Sequence, residues 1–414
     1  MYIFIAMKQI TNTSRRDFLK VAVTVPVGLA VATPLIRAQA AESEPAKTEL
    51  PPLPSRQLGK DGPHVSMVAL GGMMSALSPQ YLDIAWSLGM RYFDTADCYL
   101  NRKSETFVAQ WLAKHPERRK EIFLVSKDHP RKGPEQLLEM IDKRLAACGT
   151  SYLDLFFIHG IGTNDYGQES LEWPKSDRLR KVAEKLKESG KVKRVGFACH
   201  DARLSEYLNA AAEGGFVDVI MLAYTPFYKR GEAFDKALDA CHKAGIGLVA
   251  MKTMRNSGDL PKRMPEFDKL GLTLHQALLH AVWSDSRISS ICSMIENVGQ
   301  MEANTAAARS YKGPLKMGHL DLLKETVMAH RRTLCPGCPA CAEMAARTDV
   351  AFHDIARFVT YYEQDGNQEA RAMYQALSPS VRDHSSIDLA GLRDRCAFKI
   401  DYPAIMRRAE HYFA

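Results

Sequence analysis

The sequence has 414 residues, of which 46% are hydrophobic and 8% aromatic. A chain of this length and composition can bury one large core and a second, smaller one without help from disulfide bonds. The formal net charge is +7 at pH 7, but much of the excess lies in residues 1–40, and the remainder is close to neutral. Because a nearly balanced chain lacks an extended basic surface, we expect no nucleic-acid partner.

Residues 1–40 are predicted to be an export signal. The stretch SRRDFLK (14–20) resembles the twin-arginine signal, and the apolar stretch VAVTVPVGLAVATPLI (21–36) follows it. This stretch is shorter than the roughly 20 residues that cross a bilayer, and it contains Pro26 and Pro34. The resemblance implies that the twin-arginine machinery exports the folded chain to the periplasm. An uncleaved signal that anchors the chain in the membrane is the alternative.

A proline-rich linker is predicted at 41–55, and residues 56–315 then repeat one pattern, a short β-rich run followed by a loop and an amphipathic helix. One such helix, PEQLLEMIDKRLAACG (134–149), carries an apolar stripe and has Gly149 at its predicted C-terminal cap. Eight such units predict a (β/α)8 TIM barrel. The eight runs are VSMVALGG, RYFDTA, IFLVSK, YLDLFFIHG, VKRVGFACH, DVIMLAY, GLVAMKTM and ISSICSMI.

Residues 316–414 lack the β-rich runs. Their sequence indicates a series of short helices, among them HLDLLKETVMAHRR and DVAFHDIARFVTYYEQ. We therefore predict a second, mainly helical domain after the barrel.

Ionisable residues follow three neighbouring strands of the predicted barrel. The second run ends at Asp94, with Tyr99 five residues later; the third ends at Lys127 and the fourth at His159. Strand C-terminal ends face the active site in this fold, so we expect these four side chains to meet. An adjacent ammonium lowers the pKa of a phenol, and a carboxylate keeps that ammonium charged. Tyr99 is therefore the predicted acid catalyst, and His159 is predicted to orient a substrate oxygen against it.

The segments RYFDTADCYLNRKSE, FLVSKDHP and LDLFFIHG resemble the aldo-keto reductase family, and the likeness extends over the whole predicted barrel. The family's Asp, Tyr, Lys and His tetrad corresponds to Asp94, Tyr99, Lys127 and His159. The resemblance implies hydride transfer between a nicotinamide cofactor, NADP or NAD, and a small carbonyl or alcohol substrate. Tyr99 would then be the proton donor or acceptor.

The residues that correspond to the family's cofactor pocket are partly changed. Where the family has polar residues that hold the nicotinamide, this chain has Ala198, Cys199 and Met221. The loops KTMRNSG and SMIENVG still offer backbone N–H groups for a pyrophosphate. A preference for NADP over NAD is not predicted. The candidate cofactor-binding residues are Met221, Met251, Lys252, Ser293, Gln300 and Asn304.

The stretch CPGCPACAEMAARTD (335–349) begins like a bacterial ferredoxin run, C-x2-C-x2-C-x3-C-P, but has alanine at the fourth cysteine position. In a two-cluster ferredoxin the fourth ligand of each run binds the other cluster. Cys396 stands where the last cysteine of a second run would be, so the surviving cysteines form the complete ligand set of one cluster. These are Cys335, Cys338, Cys341 and Cys396.

One 4Fe-4S cluster is the favoured interpretation of these four cysteines. A c-type haem is excluded because Pro339 stands where its histidine would be. Structural zinc and, in an exported protein, disulfide bonds remain alternatives. The predicted fold is thus an α/β TIM barrel with a small, mainly helical, ferredoxin-like iron-sulfur domain at 316–414.

Two functions from different classes follow from these observations. The leading one is an exported, nicotinamide-dependent oxidoreductase whose iron-sulfur cluster has a structural role or passes electrons to a redox partner protein. The other is a barrel without dinucleotide turnover that acts as a binding or electron-transfer module. The apolar residues Ala198 and Met221 favour the second, and the complete tetrad favours the first.

Overall fold

The computed structural model describes residues 49–227, 232–254, 260–330, 335, 341, 350–365, 368–396, 398 and 400–413. The predicted export signal and the predicted cluster ligand Cys338 lie outside the described residues. None of the described helices is both long and apolar enough to cross a lipid bilayer.

Eight parallel strands close into a barrel, as the eight β-rich runs predict. Around the barrel the strands stand in chain order, with the last strand beside the first, and each of the eight runs contains all or nearly all of one of these strands. An antiparallel hairpin of β1 and β2, which the sequence did not predict, precedes the barrel. In chain order the strands are Ser55–Gln57 (β1), His64–Ser66 (β2), Val68–Gly71 (β3), Tyr92–Asp94 (β4), Phe123–Asp128 (β5), Leu155–Ile158 (β6), Val195–Cys199 (β7), Val219–Ala223 (β8), Gly247–Met251 (β9) and Ile288–Met294 (β10).

The barrel strands are apolar on both faces because both faces are buried. In β6, Leu155 and Phe157 belong to one buried cluster, which also contains Val249 of β9. Phe156 and Ile158 belong to a larger cluster that includes helix residues. The alternation places one core inside the barrel and another between the strands and the surrounding helices.

Helices follow the barrel strands along the chain. Leu137–Cys148 ends at Gly149, whose φ of 62° is left-handed, so the predicted C-terminal cap is confirmed. The helices of the barrel region are Pro79–Ser87, Lys103–Lys114, Leu137–Cys148, Thr163–Tyr166, Asp177–Glu188, Leu204–Gly214, Glu232–Lys243, Pro265–Asp268, Leu274–Trp283 and Val298–Ser310, with short 3-10 helices at Pro116–Glu121, Pro134–Gln136, Gln168–Leu171 and Trp173–Lys175.

The described part of the tail is helical and carries a hydrophobic cluster of its own, which includes Phe352, Ile355, Tyr402 and Phe413. The first helix of the tail belongs to the barrel side, because Leu323 is buried in a different cluster. The tail helices are Met317–His330, Phe352–Asp365, Gln368–Ala376, Pro379–Arg382, Leu389–Arg395 and Tyr402–Phe413.

Candidate active site

Lys127 lies at the C-terminal end of β5 and is fully buried. Its Nζ donates to Asp94 Oδ1 at 2.5 Å, to the Thr95 carbonyl at 2.9 Å and to the Tyr99 hydroxyl at 3.3 Å. Asp94 ends the adjacent strand β4 and is also buried. The ammonium therefore joins the carboxylate to the phenol, in the arrangement that the sequence predicted for these three residues.

His159 follows β6 directly and completes the predicted tetrad. Its ring meets the ring of Tyr99 edge to face, with the two centroids 5.3 Å apart. Parallel pairing of β4, β5 and β6 brings the ends of these strands to one rim of the barrel. The structure thus brings all four predicted catalytic residues together.

Burial sets the protonation of this group. Burial disfavours the Lys127 ammonium, but Asp94, Tyr99 and Cys292 together outweigh it and hold the pKa of Lys127 above its ordinary value. Burial also raises the pKa of Tyr99, and the opposing effect of Lys127 does not cancel this. The expectation of a net lowered phenol pKa is therefore wrong for this structure, because desolvation of the phenolate exceeds its attraction to the ammonium.

The imidazole of His159 is neutral at physiological pH. Burial lowers the pKa of His159 to about 3, although nearby Asp97 favours the charged form. A neutral imidazole has one N–H donor and one acceptor, so it can donate a hydrogen bond to a carbonyl oxygen without carrying charge.

The loop after Tyr99 has an unusual backbone. Leu100, Asn101 and Arg102 have φ angles of 53°, 54° and 70°, so three consecutive residues with side chains are left-handed. The turn returns the chain to the helix Lys103–Lys114, and the Ser104 N–H donates to the Tyr99 carbonyl at 3.3 Å. This tight return fixes the backbone of the predicted acid catalyst.

A cavity of about 120 Å³ opens beside the tetrad. Tyr99, Lys127 and His159 line it on one side. Three of the candidate cofactor residues also line it, together with Ala198: they are Met221, Met251 and Lys252. These four residues therefore offer a largely apolar surface to the cavity, apart from the Lys252 ammonium.

Of the other three candidate cofactor residues, Ser293 lies near the end of β10, Gln300 lies in the first turn of the helix Val298–Ser310 and Asn304 lies in the middle of that helix. None of these three described residues lines the cavity. Asn304 Nδ2 donates to Ser293 Oγ at 3.3 Å. The Gln300 side chain is exposed and instead accepts from the Glu296 N–H within its own turn. Residues 255–258 of the loop KTMRNSG (252–258) lie outside the described residues.

Residues of the helical tail line part of the cavity, and the sequence did not indicate this contribution. Arg357, Tyr361 and Met373 line it from this side. The Lys252 ammonium donates to the Tyr361 hydroxyl at 2.5 Å. The spacing of Arg357 and Tyr361 puts them on one face of the helix Phe352–Asp365, but that pattern does not indicate which surface the face meets.

Buried polar contacts connect this helix to the barrel. His353 Nε2 lies 3.1 Å from the His200 carbonyl, and Arg357 Nη1 lies 3.4 Å from His200 Nε2. Asp354 Oδ1 accepts from Arg357 Nη2 at 2.6 Å, and Asn164 Nδ2 donates to the other carboxylate oxygen. The Asp354–Arg357 ion pair is almost wholly buried, with 8% and 4% of the side chains exposed.

Three of the four predicted cluster ligands are described, and all three are buried in the same tail cluster: Cys335, Cys341 and Cys396. The Tyr402 hydroxyl lies 3.2 Å from Cys341 Sγ and 3.3 Å from Cys335 Sγ. Cys335 and Cys341 thus share the hydroxyl of a residue that lies 61 positions after Cys341 in sequence. The chain brings these cysteines together rather than scattering them.

The closed (β/α)8 barrel carries a tyrosine, a lysine, an aspartate and a histidine at the C-terminal ends of its strands, and these side chains are suited to acid–base catalysis. The particular family follows from the sequence. The model of the Aldo/keto reductase family matches residues 70–308, and the chain belongs to this family.

Curated relatives of the chain include oxidoreductases. "Uncharacterized oxidoreductase YqkF" of Bacillus subtilis is 29% identical over 297 residues, covering 62% of this chain and 91% of the relative. "Aldo-keto reductase yakc [NADP(+)]" of Schizosaccharomyces pombe is 26% identical over 220 residues, covering 48% of this chain and 60% of the relative. A further oxidoreductase of that yeast is matched over 55% of its length, so the chain spans little more than half of these two yeast relatives.

Solved structures agree on the fold. The aldo-keto reductase from Klebsiella pneumoniae in complex with NADPH superimposes with a TM-score of 0.52 at 22% identity, covering 66% of this chain and 94% of that one. An aldo/keto reductase from Brucella melitensis gives a TM-score of 0.51 at 21% identity, with 66% of this chain and 99% of that one covered.

Proposed function

We propose that this chain is a nicotinamide-dependent oxidoreductase that reduces a small carbonyl compound or oxidises the corresponding alcohol. The observation that carries the proposal is the buried Lys127, which donates both to Asp94 and to the Tyr99 hydroxyl at the rim of a cavity. A relative named for NADP(+) and a structural neighbour solved with NADPH support the choice of cofactor.

In this proposal each residue has a separate task. Tyr99 would donate its hydroxyl proton to the carbonyl oxygen, or accept a proton in the reverse direction. Lys127 would stabilise the tyrosinate left behind, and Asp94 keeps Lys127 charged. His159, neutral in this environment, would hold the substrate oxygen with its N–H. The nicotinamide would supply or accept the hydride.

The chain has clearer binding groups for the phosphates of a dinucleotide than for its nicotinamide ring. The helix Val298–Ser310 begins with exposed residues, and because the Gln300 N–H already donates to Asn297 Oδ1 at 2.9 Å, a phosphate there would contact the N–H groups of Val298 and Gly299. Asn304 and Ser293 stand beside that end. At the nicotinamide end, Ala198 and Met221 offer apolar surface in place of amide-binding groups.

The test of this function is Tyr99→Phe. We expect the rate of hydride transfer to fall by about 10²–10⁴-fold, because only the proton donor is removed, while cofactor affinity stays within about twofold of the parent. Tyr152→Phe is the matched control, since Tyr152 precedes β6 at the opposite end of the barrel. Equal turnover by the two variants would contradict the assignment.

We also propose that the tail binds one 4Fe-4S cluster through Cys335, Cys338, Cys341 and Cys396. Burial of the three described cysteines in one apolar cluster supports it, because a cluster held by thiolates is shielded there from solvent. The cluster would have a structural role or pass electrons between the barrel and a redox partner protein.

Iron and sulfide analysis of anaerobically purified protein tests this proposal. Cys396→Ser is expected to lose the cluster's broad visible absorbance, or to retain a three-iron form, as readily as Cys338→Ser. Cys241→Ser is the control, since Cys241 is buried in the barrel, where its thiol donates to the Leu208 carbonyl. Iron-free parent protein would favour zinc or disulfide bonding instead, and a Cys396 that reacts with alkylating reagents in the native state would favour a disulfide within the run 335–341.

Export to the periplasm by the twin-arginine machinery belongs to the same proposal, because that route carries folded proteins with their cofactors in place. An exported reductase would have to retain its nicotinamide tightly. We therefore expect bound dinucleotide to survive gel filtration.

The alternative function is a binding or electron-transfer module without dinucleotide turnover. The apolar wall formed by Ala198, Met221 and Met251 is the observation that favours it. Protein that emerges from gel filtration empty, and whose fluorescence does not change on titration with NADH or NADPH, would support this alternative.

A further inference from the structure

Three further side chains, Asp97, Cys98 and His129, lie beside His159 of the tetrad. Asp97 and Cys98 belong to the loop after β4, His129 follows β5, and His159 follows β6. Each offers one potential ligand atom, and the four atoms all lie within 4.8 Å of one another. Three strand ends thus bring four metal-ligating residues to one point.

Three of the six separations between these atoms are close to those around a small tetrahedral ion. Asp97 Oδ1 lies 3.2 Å from His129 Nδ1 and 3.8 Å from His159 Nδ1. Cys98 Sγ lies 3.7 Å from His159 Nδ1. A tetrahedral ion with bonds of about 2.0–2.3 Å holds its ligand atoms roughly 3.3–3.8 Å apart. Little movement of the four side chains would therefore be needed to enclose an ion.

The chemistry of the donors indicates the kind of ion. Imidazole nitrogen, thiolate sulfur and carboxylate oxygen are the ligands of zinc, whereas magnesium and calcium prefer oxygen alone. Asp97 Oδ1 is buried and has no hydrogen-bond partner of acceptable geometry among the described residues. Instead of an ion, a proton shared in a hydrogen bond could lie between the two imidazoles and the carboxylate. Measurement of zinc binding distinguishes the two cases.

An ion can reach this site from the catalytic cavity, and neighbouring contacts hold one of its ligands in position. Cys98, His129 and His159 line the catalytic cavity, so an ion can reach them from there. The His129 backbone N–H donates to Asp128 Oδ1 at 2.8 Å, and Asp128 pairs with Arg144 at 3.2 Å. These contacts hold the His129 backbone in place before an ion binds.

We propose that Asp97, Cys98, His129 and His159 bind one divalent ion of the zinc class at the wall of the catalytic cavity, through Oδ1, Sγ and the two Nδ1 atoms. An imidazole that binds a metal through Nδ1 carries its proton on Nε2. The ion would therefore fix His159 as a donor to a substrate oxygen. That consequence rests on the proposed reductase function, whereas the ion site does not.

Zinc X-ray absorption on the full-length parent protein, loaded with Zn²⁺ after iron content is measured, tests the site without any variant. The expected result is one equivalent of zinc with one sulfur and three nitrogen or oxygen ligands. A four-sulfur environment would place the zinc on the tail cysteines and overturn the proposal. Failure to bind zinc would also overturn it and leave the hydrogen-bonded arrangement of Asp97 and the two histidines.

Cobalt titration of variants tests the individual ligands. His129→Gln and Cys98→Ser should weaken Co²⁺ binding by at least about tenfold, and Cys98→Ser should also lose the thiolate-to-cobalt absorbance. The control is His115→Gln, which alters a histidine 3.1 Å from Asp83 on the outside of the barrel and should leave cobalt affinity unchanged. Absorbance of the tail cluster is common to all these proteins and cancels in the difference spectra.

The readout is metal content and spectrum rather than turnover, so an inactive protein can still confirm the site. Circular dichroism of each variant shows whether it has folded. Equal cobalt affinity in the parent, His129→Gln and Cys98→Ser proteins would refute the assignment.

Discussion

Asp354 and Arg357 form a buried ion pair within the helix Phe352–Asp365, and the pair contacts the barrel through Asn164 and His200. Asp354→Asn should therefore weaken the packing of this helix against the barrel strongly. Asparagine keeps the shape but removes the charge, which leaves a guanidinium with only 4% of its side chain exposed beside a neutral amide. Arg357 Nε is already buried without a hydrogen-bond partner among the described residues, and the remaining compensation is the 3.4 Å contact with His200 Nε2 and the charge of Asp165. Breaking a buried pair in this way costs about 3–5 kcal/mol of unfolding free energy.

An exposed carboxylate–guanidinium pair with a similar contact distance is the control. Glu135 accepts from Arg178 at 2.8 Å, but both side chains are more than half exposed. Glu135→Gln should therefore cost less than about 1 kcal/mol. The contrast between the two variants isolates the effect of burial.

Urea denaturation measures both costs. All four tryptophans lie in the barrel, so their fluorescence reports barrel unfolding, while far-UV circular dichroism also reports the tail helices. We expect Asp354→Asn to shift the circular dichroism transition to lower urea. If its midpoint changes no more than that of Glu135→Gln, the pair does not hold the tail as described.

The same comparison has a defined pH dependence. Although burial opposes ionisation, Arg357 holds the pKa of Asp354 below its ordinary value, which is about 3.9. The stabilisation is therefore complete above roughly pH 4 and is lost only as the pH falls through the lowered pKa. The difference in unfolding free energy between parent and Asp354→Asn should be constant from about pH 5 to 8 and shrink in stronger acid.

Three further results are expected. Arg15→Lys together with Arg16→Lys should leave precursor in the cytoplasm, as shown by cell fractionation, and mature protein in the periplasm would contradict the twin-arginine prediction. Tyr361→Phe should cost about 1.5–3 kcal/mol in urea denaturation, because the hydroxyl accepts a hydrogen bond from a charged lysine; an unchanged midpoint would show that the contact contributes nothing. Iron removal should make residues 316–414 sensitive to protease while the barrel stays intact, since ligation would close the loop between the two cysteine segments. Equal resistance with and without iron would mean that the tail's own core suffices.

The barrel and its tetrad could be predicted because the signals are local. Eight apolar runs at regular spacing are compatible with few folds other than a TIM barrel. In a TIM barrel the C-terminal ends of the strands form the active-site face. Asp94, Lys127 and His159 end or follow consecutive strands, so their neighbourhood follows from topology alone. Tyr99 lies five residues beyond β4 and reaches Lys127 only because its loop turns back sharply.

The residues that the sequence did not indicate depend on contacts between distant segments. Arg357 and His200 are 157 positions apart, and Lys252 and Tyr361 are 109 apart. A helical pattern shows that Arg357 and Tyr361 share a face, but it contains no information on the surface opposite. The pKa of Tyr99 could not be predicted for a related reason: it depends on how completely the folded chain excludes water, and composition does not give that.

The three left-handed residues after Tyr99 determine which sequences the loop tolerates. Each side chain in that conformation costs roughly 1 kcal/mol, except that glycine adopts it freely and asparagine at a smaller cost. In a saturation mutagenesis library selected for folded protein, positions 100 to 102 should accept glycine, asparagine and aspartate and reject valine, isoleucine and threonine. Selection for turnover should be stricter, because glycine would loosen the loop that fixes the Tyr99 hydroxyl. The two selections would thus give different sequence profiles at Leu100, Asn101 and Arg102.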